Sequence, residues 1–222
     1  MKQQLKKIGL SFSLVTLLCA SLLQVTGQTA MQLTKIYLEG GIGPGTFKGF
    51  NSEVGLKAIF KNKWSMTLSL NGIQEMTPKN EPSDYKPETG YVLFIPYTGE
   101  ETVDMSIVSL TAGRYFSVGK NIWATAEGGL SYVKGEKVNY ERTQQVSSNI
   151  IIAASTSSNY TTTKENKSTV GAMMQADIDW AFASFMGIGA GVYANINSIQ
   201  SPIGLQVKLI IGKMGRIKKS KS

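Results

Sequence analysis

The sequence contains no histidine, and its single cysteine, Cys19, lies in an apolar segment near the N-terminus. The rest of the chain therefore lacks the thiol and imidazole groups that disulfides, soft-metal sites and many nucleophilic enzymes require. Charged residues make up only 17% of the chain. After the N-terminal segment, no run approaches the roughly 18 consecutive apolar residues of a membrane-spanning helix. From these absences we expect no enzyme activity, no metal site and no cofactor, and we exclude a helical membrane protein.

The first 27 residues are typical of a signal peptide. Three lysines precede an apolar run over residues 8–25. Val25 and Gly27 are small enough for the third-last and last positions before a cleavage site, so we expect the mature chain to begin at Gln28. A single membrane anchor is the alternative, because the run is long for the apolar part of a signal peptide.

The net positive charge of the chain belongs to its two ends. Three lysines lie in the leader, and five basic residues lie in the last ten positions. The body between them balances 15 basic against 15 acidic residues. A basic binding face is therefore not predicted, and nucleic acid is not an expected partner. We expect a signal peptide over residues 1–27, an outer-membrane β-barrel over residues 28–213 and a basic tail over residues 214–222.

Residues 64–71 alternate without error between apolar and polar side chains, because Trp64, Met66, Leu68 and Leu70 each precede a serine, threonine or asparagine. A period of two is that of a β-strand with one apolar and one polar face. The pattern recurs, and in all it predicts about eight strands. The other segments lie near residues 36–42, 53–60, 104–116, 122–132, 172–180, 186–195 and 205–212.

The connections between these segments alternate in length. Short turns on one rim and long loops on the other are the arrangement of bacterial outer-membrane barrels. The predicted fold is therefore all-β: an antiparallel up-and-down transmembrane β-barrel of about eight strands, a monomer in contact with membrane lipid in the bacterial outer membrane. Short connections fall near residues 61–63, 117–121 and 183–184, and long ones near residues 43–49, 78–102, 134–168 and 198–203.

Aromatic residues collect near the short turns. A belt of large rings at the membrane interface is expected of such a barrel, whereas a soluble sheet has no reason to gather its tryptophans at one rim. The predicted interfacial belt consists of Trp64, Trp123, Trp180, Phe60, Phe116 and Phe182.

One hairpin resembles a known family. Residues 113–132 combine a strand through Arg114 and Tyr115, a Gly-Lys turn, and a strand with the sequence Ala-Glu-Gly-Gly from Ala126. This combination resembles the central hairpin of the small outer-membrane β-barrel family of Bacteroidota, whose relatives are the OmpX- and OmpA-type barrels. The resemblance implies the same barrel over residues 33–213. The chain departs from that family in its basic tail, because barrels of this kind usually end on an aromatic residue.

The polar faces of the predicted strands carry charged residues that would point into the lumen. An eight-strand barrel has room inside for side chains or one small ligand, and charges buried there must be paired. A catalytic or metal-binding pair at Asp177 and Asp179 is the alternative to an ion-pair network. The predicted lumen network consists of Glu39, Glu53, Lys57, Glu127, Asp177, Asp179 and Lys208, with Arg114 as a further candidate.

The long loops combine tyrosines with serine, threonine and asparagine, a composition typical of recognition surfaces. We therefore predict that the loops of residues 78–102 and 134–168 serve surface interaction with an extracellular partner, or envelope integrity, on a scaffold barrel. One alternative is a narrow pore or small-molecule carrier, with Gly187, Gly189 and Gly191 keeping a lumen wall open. Another is a soluble secreted lipocalin-like barrel with its apolar residues inside.

Overall fold

The structure, a computed structural model, describes residues 32–92, 95–145, 147–150 and 153–214. The predicted signal peptide, and the basic tail beyond Met214, lie outside these residues. Within them, every regular element is a β-strand. No helix in the described ranges is long and apolar enough to cross a bilayer.

Twelve strands are formed by the described residues, and they belong to two sheets. Eight strands close a barrel in the order β1-β12-β11-β10-β7-β6-β3-β2, and four form a small sheet in the order β5-β4-β9-β8. In chain order the strands are β1 (Leu33–Pro44), β2 (Phe50–Phe60), β3 (Trp64–Met76), β4 (Glu88–Val92), β5 (Ile95–Gly99), β6 (Val103–Ser117), β7 (Ile122–Arg142), β8 (Ser147–Ile150), β9 (Ala153–Thr156), β10 (Tyr160–Ala181), β11 (Met186–Ile196) and β12 (Ile203–Lys213).

The barrel is closed by its first and last strands. β1 and β12 pair antiparallel from Ile36 with Lys213 to Ile42 with Val207. From β2 to β12, each wall strand pairs antiparallel with the next one along the chain, and β2 is the other neighbour of β1 in the closed ring. Closure leaves the wall without an unpaired edge. The predicted antiparallel up-and-down barrel of eight strands is confirmed.

The wall strands turn polar residues inward and apolar residues outward. In β3, Ser65, Thr67 and Ser69 are 1% exposed, whereas Trp64 is 49% and Leu70 is 58% exposed. An apolar outer wall is stable in an apolar solvent such as the interior of a lipid bilayer. Lipid chains cannot hydrogen-bond to the backbone, and in a closed barrel the backbone N–H and C=O groups bond to neighbouring strands instead. This wall is that of a transmembrane barrel. A soluble lipocalin-like barrel has the reverse arrangement, so that alternative is wrong.

Two apolar clusters lie at the ends of the lumen, with the polar side chains between them. The long-loop cluster lies where the strands meet the long connections and contains Ile73, Met76, Val103, Met105, Ile107, Val133, Val138, Met173 and Tyr193. The short-turn cluster lies at the opposite end and contains Tyr37, Ile59, Trp123, Ala181, Ile210 and Met214.

β7 and β10 are longer than the other wall strands, with 21 and 22 residues against 11–15. Their pairing runs without interruption from Ile122 with Trp180 to Arg142 with Tyr160. The hairpin therefore projects beyond the rest of the rim. The long connection predicted over residues 134–168 shortens to residues 143–159.

The small sheet joins two long loops. β4 and β5 belong to the second loop (residues 77–102), and β8 and β9 belong to the third loop (residues 143–159). β4 pairs antiparallel with β9 from Thr89 with Thr156 to Val92 with Ala153. Loops that are distant in sequence are thus joined through their backbones.

Candidate functional site

The polar layer of the lumen contains all seven residues of the predicted network. They come from β1, β2, β7, β10 and β12, and each is at most 6% exposed. Their odd or even position along the strand explains this placement, because side chains alternate between the two faces and each of these residues occupies the polar face. Five carboxyl groups and two ammonium groups therefore share one buried compartment.

Two lysines hold the centre of the network. The Lys57 ammonium lies 2.6 Å from Asp177 and 3.3 Å from Glu39. The Lys208 ammonium lies 2.8 Å from Asp177, 3.4 Å from Glu39 and 3.6 Å from Glu53. Asp177 and Glu39 are thus shared by both lysines. These contacts connect β1, β2, β10 and β12 across the lumen.

The other two carboxylates are held by neutral donors. The Tyr37 hydroxyl donates to Asp179 at 2.9 Å and accepts from the Trp123 indole N–H at 3.1 Å. Glu127 accepts from the Thr111 hydroxyl at 2.6 Å and from the Gln175 amide at 2.8 Å. Tyr37, Thr111 and Gln175 are not members of the predicted network, although each occupies an inward position of its alternating strand. The acidic pair of Asp177 and Asp179 is divided between lysine and tyrosine partners.

The glycines of β11 accommodate carboxylates. A Cβ atom at Gly189 would collide with the Asp179 carboxylate, and one at Gly191 would collide with that of Asp177. The space beside these two glycines is therefore filled by acidic side chains of β10. An open lumen wall, which the narrow-pore alternative needs, is not found at Gly189 and Gly191.

Two residues differ from their predicted placement. Trp123 was predicted in the interfacial belt, but it is 1% exposed and packs within the short-turn cluster. It has the inward parity of β7, and proximity to a turn does not override that parity. Arg114, the further candidate for the lumen, instead points outward from β6 because the inward positions of that strand are the odd-numbered ones. The remaining belt residues Trp64, Trp180, Phe116 and Phe182 are 47–52% exposed, and Phe60 is half-buried.

A tyrosine cluster orders the long-loop rim. The ring centroids of Tyr85 and Tyr140 are 5.2 Å apart, those of Tyr140 and Tyr160 are 6.0 Å apart, and those of Tyr85 and Tyr160 are 6.2 Å apart. Tyr85 belongs to the second loop, whereas Tyr140 and Tyr160 lie on the projecting hairpin of β7 and β10. Edge-to-face contacts of this kind stabilise beyond area burial alone. The cluster therefore attaches the second loop to the hairpin.

Asp84 adds polar connections beside the rings. Its carboxylate accepts a hydrogen bond from the Tyr160 hydroxyl at 2.8 Å and forms an ion pair with Arg142. Its carbonyl accepts from the Asn159 amide at 2.8 Å, and the Lys86 backbone N–H donates to Asn159 at 2.7 Å. The hydrogen bond from Tyr160, assisted by the Arg142 guanidinium, holds the pKa of the Asp84 carboxyl below its usual range.

A polar cleft opens next to the tyrosine cluster. This loop cleft has a volume of about 360 Å³ and offers hydrogen-bond donors and acceptors side by side. It is lined by Asp84, Lys86, Arg142, Thr143, Gln145 and Asn159. In the described part of the chain, the loop cleft included, no group of three or more histidine, cysteine, aspartate or glutamate side chains has the arrangement of a metal site.

No family model matches the chain, and no curated protein matches it. Solved structures with a similar architecture include Neisserial surface protein A, with 10% identity over 80% of this chain and 95% of that one and a TM-score of 0.48. The N-terminal β-barrel domain of Pseudomonas aeruginosa OprF has 10% identity over 82% of this chain and 99% of that one, with a TM-score of 0.45. The attachment invasion locus protein Ail of Yersinia pestis has 11% identity over 81% of this chain and 95% of that one, with a TM-score of 0.43. The barrel assignment rests on the strand pairing of this chain and not on these likenesses.

Proposed function

We propose that this protein is a non-enzymatic outer-membrane barrel that binds an extracellular partner through its long-loop rim. In this proposal the wall and the lumen network are a scaffold, and the second and third loops carry recognition. We also propose, from the hairpin of residues 113–132, that it is a member of the small outer-membrane barrel family of Bacteroidota.

One observation carries the proposal: the second and third loops form a single ordered surface. The β4–β9 pairing joins them through the backbone, and the Asn159 side chain of the third loop hydrogen-bonds to Asp84 and Lys86 of the second loop. The tyrosine cluster attaches the second loop to the hairpin that carries the third loop. A surface that is ordered before binding loses less conformational entropy when a partner binds. Loops that served only to cover the rim would not require these connections.

The chemistry of the surface favours a partner with hydrogen-bonding groups. The loop cleft presents the acidic Asp84, the basic Lys86 and Arg142, and amides from Gln145 and Asn159. Rigid tyrosines beside adaptable amide and hydroxyl side chains are the composition that recognition loops use. Side chains in such a cleft can accept and donate without rearranging the barrel.

The proposal is tested by replacing residues 143–159 with a short Gly-Ser turn. The variant should still form the barrel, which is measured by the change of gel migration on heating. Bacteria that display it should adhere less to epithelial monolayers and immobilised matrix than bacteria that display the intact protein. Unchanged adhesion would exclude the loop as the binding surface, and so would a loss of adhesion that occurs only together with loss of the folded barrel.

A point variant gives a finer test. Tyr160→Phe keeps the ring contacts but removes the hydrogen bond to Asp84, so it should weaken adhesion without affecting the barrel. Tyr132→Phe is the matched control, because Tyr132 is 53% exposed on the outer wall of β7. Equal adhesion by the two variants would contradict a role for the tyrosine cluster.

A further inference from the structure

Arg114 lies on the outer wall close to the short-turn rim. Its guanidinium sits 4.4 Å from the centroid of the Trp64 ring, the residue paired with it on β3. Arg114 lies three residues before Ser117, the last residue of β6. The distance along the strand between these two residues is about 10 Å. Among the described residues, no carboxylate or other acceptor bonds to the guanidinium. Five N–H donors thus face outward at the depth of the membrane interface.

The rim around Arg114 carries charge of one sign. Five of the 15 acidic residues are in the lumen network, and the other ten lie in the long loops or on the strand ends next to them. The short-turn end of the described barrel therefore has no acidic residue outside the lumen. Its basic residues are Lys35, Lys61, Lys63, Arg114, Lys120 and Lys213.

An alanine groove lies on the outer wall next to Arg114, beginning at Ala126, the residue of β7 that pairs with Arg114. Arg114 pairs with Ala126, and Ala126 pairs with Ala176. In the adjacent row, Ala124 of β7 and Ala190 of β11 lie on either side of Ile178, a larger outward residue of β10. These small side chains form the floor of an apolar depression of about 760 Å³. Larger apolar side chains that also line the depression are Phe116, Ile178, Val192 and Leu205.

We propose that Arg114 and the alanine groove form a binding site for one anionic phospholipid. The guanidinium donates to the headgroup phosphate, and an acyl chain lies in the groove. The planar guanidinium fork matches phosphate oxygens, and the surrounding lysines add attraction for an anionic headgroup. An outward arginine close to the interface costs little, so the wall tolerates it where the phosphates lie.

The test measures lipid bound to the mature protein. The protein is placed in nanodiscs of phosphatidylcholine with a minor fraction of phosphatidylglycerol, released in the mass spectrometer, and weighed with its retained lipid. The wild-type protein should retain one phosphatidylglycerol. Arg114→Gln should retain about fivefold less, because one guanidinium contact is lost. Arg114→Lys keeps the positive charge but lacks the planar guanidinium, so it should retain an intermediate amount of phosphatidylglycerol. Lys134→Gln, an outward cation at the opposite rim, is the control and should match the wild-type protein.

A second pair of variants tests the groove. Ala176→Leu fills the groove while leaving Arg114 intact, so it should also reduce retention of phosphatidylglycerol. Ala172→Leu adds the same volume on the same face of β10, outside the groove, and should have no effect. Gel migration with and without heating verifies that each variant folds.

Three outcomes would overturn the proposal. The first is equal retention by wild-type, Arg114→Gln and Arg114→Lys proteins. The second is displacement of the lipid by excess inorganic phosphate with no effect of Ala176→Leu, which would show a site for a free phosphate group alone. The third is that the wild-type protein is released as a dimer without bound lipid and that Ala176→Leu abolishes this dimer. That result would show that a second copy of the chain covers the groove.

Discussion

Lys57 and Lys208 are the two cations of the lumen network, and both share the carboxylates of Glu39 and Asp177. Both ammonium groups are fully buried, so each has lost its hydration and depends on nearby carboxylates. When one lysine is removed, its carboxylates must share the other. The residues of the network should therefore respond to substitution as a unit.

We expect Lys57→Met to lower the free energy of unfolding by about 3–5 kcal/mol, because Glu39 and Asp177 stay buried with one partner fewer. Urea unfolding of the protein from lipid vesicles measures this change. Lys48 is a matched control, because its ammonium lies 3.3 Å from Glu100, the same distance as Lys57 from Glu39, but both side chains are exposed. Lys48→Met should cost less than about 1 kcal/mol. Equal losses from the two variants would mean that the lumen is hydrated.

Gly191 provides a second test at the scale of one residue. A methyl group there would meet the Asp177 carboxylate and push it away from Lys57 and Lys208. We expect Gly191→Ala to lower the free energy of unfolding by about 1–3 kcal/mol. Gly40 is also a strand glycine, but a Cβ atom there meets nothing, so Gly40→Ala should not destabilise the barrel. If both substitutions have the same effect, Asp177 does not occupy the space beside Gly191.

At the scale of elements, the joined second and third loops should respond to acid while the wall does not. The pKa of Asp84 is lowered in the folded loops. Its contacts therefore stabilise them above the ordinary aspartate pKa of about 3.9, and that contribution disappears as the pH falls through the lower folded value. We expect the NMR signal of the Lys86 amide, which donates to Asn159, to change below about pH 4.

Asp84→Asn should abolish this acid dependence, because the amide does not titrate. The signals of the wall strands should be unchanged over the same titration. A Lys86 signal that titrates equally in Asp84→Asn would show that another group is responsible.

For the whole molecule, we expect a barrel that does not conduct ions. The long-loop and short-turn clusters lie at the two ends of the polar layer, and an ion would have to pass apolar side chains without its hydration. Purified protein in planar bilayers should give no stable single-channel currents under conditions in which a porin conducts. Reproducible currents of one amplitude would contradict the closed lumen.

The sequence by itself determined the wall and the two faces of its strands. Alternation with a period of two is a local property, so residues 64–71 show without any tertiary information which side chains share a face. The same rule places Glu39, Lys57 and Asp177 on inward faces. It also places Trp123 inside, where the nearby turn had suggested an interfacial position. The position of a residue in the alternation along its strand was therefore a better guide to its burial than its proximity to a rim.

Tertiary structure decided which residues meet. Lys57 contacts Asp177 across the lumen because closure of the ring brings β2 opposite β10, and no local pattern encodes that distance. The pairing of β4 with β9 likewise depends on the barrel, which brings the second and third loops to one rim. The alanine groove beside Arg114 arises from the register of β6, β7 and β10. Each strand carries its own alternation, but contacts between strands exist only once the ring has closed.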